Sequence, residues 1–192
     1  MSLTPSNMPE LGIKAPDFSL LEPASGKTIS ISDLKGAAGI LVAFISNHCP
    51  YVHHIQAELT QLGKDLDGSD ISMVAIGSND AENYPEDGPN EIAHEVKVQS
   101  YAFPYLHDAS QEVAHAYGAA CTPDFFLYDS DRRLVYRGQL DSSRPGNNKP
   151  VDGADLRMAI TALREEWPDI TDQSPSIGCN IKWRPGNEPE TR

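Results

Sequence analysis

From Gly39 to Ile45 the chain runs through seven residues without a polar side chain, GILVAFI, and then breaks into Ser46-Asn47-His48-Cys49-Pro50. An unbroken apolar run of this length, closed by polar residues, is the pattern of a central strand buried on both faces. Pro50 fits the first turn of a helix, where its missing N–H would have no partner in any case. Ile55, Leu59, Leu62 and Leu66 follow at helical spacing and form one apolar stripe. The chain must therefore build a strand, a tight turn and a helix, with Cys49 at the join.

The remaining elements extend this pattern into an α/β sheet protein. Ile71 to Gly77 reads as a second buried strand, followed by a polar, acidic loop from Ser78 to Asn90. A short helix is expected from Glu91 to about Ser100, and an extended piece from Pro104 to His107. Asp108 with Gln111 resembles a capping box for a helix through Tyr117, closed by Gly118. Phe125 to Tyr128 and Leu134 to Leu140 read as a hairpin turning at Asp129-Ser130-Asp131. Leu156, Ile160, Leu163 and Trp167 mark a final amphipathic helix.

Upstream, residues 15–36 place Ile29, Ile31 and Leu34 after a Gly26-Lys27 turn, a small antiparallel element in front of the main fold. The expected organisation is a loose leader over residues 1–14, one domain over 15–183 and a mobile tail over 184–192. Residues 175–183, with Ile177, Ile181 and Trp183, should pack back on the body.

Charge and cysteine usage narrow the function classes. With 192 residues the chain can bury a core without staples, and its net charge of −13 argues against nucleic acid or an anionic membrane surface as a partner. The first 36 residues hold no basic segment followed by an apolar one, and the longest apolar run is too short to span a bilayer. A cytoplasmic location is the expectation. Cys49, Cys121 and Cys179 lie too far apart for a zinc finger, and their odd number does not describe a disulfide framework. They fit one reactive thiol with one or two candidate partners. Thiols react as thiolates, and a helix N-terminus favours the negative charge through its unpaired N–H groups and dipole. His48 beside Cys49 can add positive charge or move a proton.

Four blocks carry a family resemblance: Asn47-His48-Cys49-Pro50-Tyr51-Val52, Cys121-Thr122-Pro123-Asp124-Phe125-Phe126, Tyr136 to Pro145, and Pro175 to Trp183. With Pro16-Asp17-Phe18-Ser19-Leu20 and the Gly26 to Leu34 segment, they resemble the peroxiredoxin-like redoxin branch of the thioredoxin superfamily, the branch labelled by its alkyl hydroperoxide reductase/thiol-specific antioxidant domain. The resemblance spans about residues 11–190. It implies a thioredoxin-like fold, a mixed central sheet flanked by helices, and thiol-based antioxidant or redox-homeostasis chemistry. It also implies that Thr122-Pro123 is a cis-proline loop that packs on the active cysteine and offers backbone to an extended substrate.

Within that resemblance the spacing decides which chemistry is available. Phe44 precedes Cys49 by five residues, as the strand phenylalanine precedes the thioredoxin nucleophile. The peroxidatic cysteine of peroxiredoxins aligns three positions later, on the second cysteine of the thioredoxin CxxC motif, and here that position holds Val52. Ser46 is the candidate stand-in for the hydroxyl of a peroxidase pocket, and Arg137 and Arg144 are the candidate arginines, since Pro123 occupies the position of the peroxiredoxin arginine. Catalysis is thus expected at Cys49 and Pro123, with support from Ser46, His48, Thr122, Arg137 and Arg144.

A resolving thiol would come from Cys121, Cys179, a small thiol or a partner protein. Cys121, two residues from Pro123, is taken as the nearer of the two. Asn79, Asn83 and Tyr84 of the acidic loop are candidate pocket residues, because open α/β sheets place their sites at this end. The leading reading is a thiol-disulfide oxidoreductase with a single motif cysteine. The alternative is a thiol peroxidase that passes through a sulfenic acid. Two other classes are copper or zinc binding by Cys49 and His53 with His48 and His54, and a redox-silent binding module. Expected partners are a disulfide or hydroperoxide substrate and a thiol reductant of the thioredoxin or glutathione type, with no cofactor; the sequence selects no oligomeric state.

Overall fold

In the computed structural model, which describes residues 3–168 and 170–189, the chain opens with a short strand, β1 (Leu3–Pro5), and the hairpin β2 (Ser19–Glu22) and β3 (Lys27–Ser30). The apolar run becomes β4 (Gly39–Phe44), all six of whose residues are buried. Then come α1 (Pro50–Leu66), β5 (Ile71–Gly77), α2 (Pro89–Gln99), β6 (Tyr105–His107) and α3 (Glu112–Tyr117). The chain closes with β7 (Cys121–Thr122), β8 (Asp124–Asp129), β9 (Leu134–Gly138), α4 (Ala154–Arg164) and β10 (Ile177–Asn180).

Seven strands form the main sheet in the order β3-β2-β6-β5-β4-β8-β9. β4 runs parallel to β5, and β5 to β6, whereas β8 and β9 run antiparallel beside β4. Because successive strand side chains point to opposite faces, β4 feeds two cores. Leu41 and Ala43 pack with Ile55, Leu59 and Leu62 of α1 and Leu156 and Ile160 of α4. Ile40, Val42 and Phe44 pack on the other face with Val113, Ala114 and Tyr117 of α3 and with Phe18 and Ile31. Helices on both faces of a mixed sheet are the thioredoxin-like layer architecture expected from the element order. No helix among the described residues is long and apolar enough to cross a membrane.

A second, three-stranded sheet runs β1-β10-β7. Its existence corrects the reading of residues 1–14 as a loose leader. Leu3, Thr4 and Pro5 pair with Cys179, Gly178 and Ile177, and the Ser6 hydroxyl donates to buried Asp124 at 2.7 Å. The return of residues 175–183 to the body is observed, as β10. The tail expected to be mobile begins at Arg184, whose N–H bonds Gln111 Oε1, and its last three residues lie outside the described part of the chain.

Three further expectations change in detail. Gln111 does not cap α3 with its side chain; its amide donates to the carbonyls of Ser78 and Lys182, while Asp108 accepts from the Ala114 N–H. β9 stops at Gly138, whose φ of +125° turns the chain so closely past Ser174 that a Cβ would lie 2.1 Å from its carbonyl oxygen. Trp167 lies beyond the end of α4 and is about half exposed, so it belongs to no buried helical stripe.

Candidate functional site

Cys49 is the N-cap of α1, with extended backbone and Pro50 at the first helical position. Its carbonyl oxygen accepts from the N–H groups of Val52 and His53, both at 3.0 Å, so the cysteine itself opens the helix. The side chain is fully buried, and its thiol donates to the Thr122 carbonyl oxygen at 3.2 Å. The Thr122-Pro123 peptide is cis, as the resemblance implied. Val52, at the empty peroxidatic position, is a buried core residue beside Cys49.

The chain leaves β7 at Thr122, passes Pro123 and enters β8 at Asp124. The free backbone edge of β7 is occupied by β10, with Cys179 opposite Thr122 and Asn180 opposite Cys121. Contact is close: a Cβ on Gly178 would lie 2.0 Å from the Thr122 carbonyl oxygen, so only glycine lets β10 approach. This brings the Cys179 thiol into hydrogen-bonding reach of Cys49. Burial first, and then that hydrogen bond and the charge of Cys49, push the Cys179 thiol up; Lys182 and the Tyr51 N–H at the head of α1 act in the opposite sense.

Cys121, taken from the sequence as the nearer partner, faces another way. Its thiol interacts with Ser6 and with the Pro123 carbonyl oxygen at 3.7 Å. Burial, followed by the charge of Asp124, pushes it far above the usual thiol range. Side chains alternate along a strand, so residues 121 and 122 cannot present the same face to α1. The preference for Cys121 therefore gives way to Cys179.

Beside the thiols stands a carboxylate that sequence reasoning passed over. Asp87 is 1% exposed and accepts from the Asn47 N–H at 2.6 Å, the Ser46 hydroxyl at 3.1 Å, His48 Nδ1 at 2.5 Å and the Asn79 side chain at 2.7 Å. Burial would raise its pKa, but hydrogen bonds from His48 and Asn79, the charge of His48 and the Asn47 N–H outweigh that and hold the carboxyl below its usual range. His48 stacks on Tyr84 with ring centroids 5.2 Å apart, and the Lys182 ammonium lies 5.9 Å from the Tyr84 centroid. Asn79 also accepts from the Lys182 N–H at 2.8 Å, which ties the acidic loop to the end of β10. Asn83 instead bonds Asp80. The segment Tyr84-Pro85-Glu86-Asp87-Gly88-Pro89, stiffened by two prolines, was the one signal in the sequence that could have singled out Asp87.

The candidate peroxidase stand-ins have hydrogen-bond partners of their own. Arg137 donates to the Pro9 carbonyl and to Gln173. Arg144 donates to the carbonyls of Asp141 and Ser143 and to Gln139. It lines a shallow cavity with Tyr51, His54, Pro123 and Ile177. The Ser46 hydroxyl points to Asp87. Of the candidate copper or zinc ligands, His53 Nε2 bonds the Asn47 carbonyl oxygen at 2.5 Å, and the described residues hold no cluster of three or more histidine, cysteine or carboxylate side chains able to bind an ion.

Comparison with known proteins places these features in a lineage. The family model of the AhpC/TSA family matches residues 11–137. The thiol-disulfide oxidoreductase ResA of Bacillus subtilis (strain 168) is 28% identical over 126 residues, a match that covers 65% of this chain and 64% of that relative, less than two thirds of its length. An uncharacterised conserved protein from Geobacillus kaustophilus superposes with a TM-score of 0.95 at 49% identity, covering 97% of this chain and 98% of the other. A hypothetical protein from Sinorhizobium meliloti 1021 gives 0.92 at 52% identity, covering 95% and 100%.

Proposed function

Because the chain belongs to the AhpC/TSA family, we propose that it is a thiol-based oxidoreductase that exchanges disulfides through Cys49. The observation that carries this reading is the setting of Cys49, at the head of α1 with its thiol on the Thr122 carbonyl beside cis-Pro123. The helix N-terminus stabilises the thiolate and the sulfur of a departing thiol alike. The Cys49 thiolate attacks one sulfur of a disulfide substrate, the substrate S–S bond breaks, and the leaving thiolate takes up a proton. With Nδ1 of His48 donating to Asp87, the other ring nitrogen is left to give or take that proton. A relative named as a thiol-disulfide oxidoreductase supports disulfide over peroxide as the substrate class. So does the engagement of Ser46 and Arg137 with other partners.

The test measures reduction of bis(2-hydroxyethyl) disulfide with a thiol reductant, and consumption of hydroperoxide with the same reductant. Wild-type protein should accelerate the first reaction, and Cys49→Ser should fall to the uncatalysed rate. Hydroperoxide consumption should not depend on Cys49. A wild-type rate equal to that of Cys49→Ser on the disulfide would overturn the reading. Rapid consumption of hydroperoxide that depends on Cys49 would replace it with a peroxidase.

A further inference from the structure

The main sheet and α1 leave the backbone edge of β7, next to cis-Pro123, open for one more strand, and the chain's own β10 fills it. That strand sets Cys179 opposite Thr122, the residue whose carbonyl holds the Cys49 thiol, and Gly178 supplies the close approach. The arrangement is that of an extended substrate lying along the edge with its cysteine presented to the nucleophile, except that here the segment is covalently part of the protein. We propose that Cys179 is the resolving thiol of this protein, closing an intramolecular Cys49–Cys179 disulfide in place of the second motif cysteine that Val52 replaces. The proposal rests on the reading of Cys49 as the exchanging thiol.

The steps balance as follows. A disulfide R–S–S–R′ is the oxidant. Cys49 attacks it to form a Cys49–S–S–R mixed disulfide and release R′–SH. The Cys179 sulfur then attacks Sγ of Cys49, the Cys49–S–R bond breaks, and R–SH leaves with the proton that Cys179 gives up. The substrate gains two electrons and two protons, and the Cys49/Cys179 dithiol becomes a disulfide, to be reduced again by an external dithiol.

The geometry gives the two sulfurs different places: Cys49 heads α1, and Cys179 lies on β10 opposite Thr122. While Cys49 is a thiolate, its charge and its hydrogen bond hold the proton on Cys179. Once Cys49 is bound in the mixed disulfide, both influences end; burial still holds the thiol up, and the Tyr51 N–H and the Lys182 ammonium act against it. The first chemical step thus removes two of the three influences that hold the proton on Cys179. With β10 seated on the edge, small disulfides suit the site better than extended polypeptides, which need that same edge.

The experiment treats the full-length reduced chain with oxidised glutathione, then counts free thiols and maps linked peptides by mass spectrometry. Wild-type protein should go from three free thiols to one, carry no glutathione and show a Cys49–Cys179 linked peptide. Cys179→Ser and Cys179→Ala should both accumulate glutathione on Cys49, and Cys121→Ser should behave as wild type. Stable glutathione on wild-type Cys49, or a Cys49–Cys121 link, overturns the proposal and leaves the role of Cys49 standing. Absence of any adduct on Cys49 in wild-type protein and both Cys179 variants overturns both. The wild-type thiol count needs no substitution, so it stands even where a variant folds poorly.

Discussion

At the scale of single residues, Asp87 organises the neighbourhood of Cys49. Four donors converge on this buried carboxylate, two of them on the residues immediately before Cys49. Asp87→Asn keeps the volume but turns two of the four acceptor directions into donors, so His48 must give up its tautomer or its orientation. The expected result is a loss in disulfide-exchange rate of roughly 10- to 100-fold, the scale on which misplaced catalytic groups cost rate. The altered pH profile of the rate separates this from simple loosening of the fold, which a melting curve checks independently. A rate and profile equal to wild type would remove Asp87 from the mechanism. Cys49 was legible in the sequence because a buried strand, a proline and a helical stripe bracket it. Asp87 was not, since in an acidic loop nothing local distinguishes a buried hub from solvated neighbours such as Glu82 and Glu86. The place of Cys179 was illegible for a related reason: closeness in sequence favours Cys121, while strand register, a non-local property, sets Cys179 opposite Thr122.

At the scale of elements, β4, β5 and α1 were readable to within a residue, because an apolar run or a stripe with period near 3.6 is written locally. β1 was not readable. Three residues, Leu-Thr-Pro, carry no pattern, and their partner β10 lies at the other end of the chain. The strap these strands form is anchored on Asp124, which accepts from the Ser6 hydroxyl at 2.7 Å. Burial raises the Asp124 carboxyl to about 7, against the hydrogen bonds from Ser6, Ala120 and Phe125. A carboxyl raised in the folded state keeps a proton that the unfolded chain releases, so its contribution to stability is complete below about pH 4 and is lost as pH rises through about 7. Urea unfolding between these values should show wild-type stability falling with pH relative to Asp124→Asn, which has no such proton to lose and whose side-chain oxygen can still accept from Ser6. Parallel pH profiles for the two proteins would show that Asp124 is charged in the fold throughout.

At the scale of the whole molecule, the proposed pair joins segments far apart in the sequence. Cys49 lies at the head of the first helix, and Cys179 arrives on the last strand, about 130 residues later. Oxidation of this pair would therefore close a loop over most of the fold, which a disulfide within a four-residue motif would not. Cross-linking across a loop of that length removes enough freedom from the unfolded chain to be worth about 4 to 5 kcal/mol before native-state strain is subtracted. For a protein of this size about 1 kcal/mol moves the midpoint by roughly 2 to 4 °C, so oxidised wild-type protein should melt on the order of 10 °C above the reduced form. Scanning calorimetry with and without prior treatment by oxidised glutathione measures this directly. Cys121→Ser should retain the rise, and Cys179→Ser should lose it, because its mixed disulfide on Cys49 closes no loop. Equal melting of oxidised and reduced wild-type protein would mean that the sulfurs meet only across a distorted backbone.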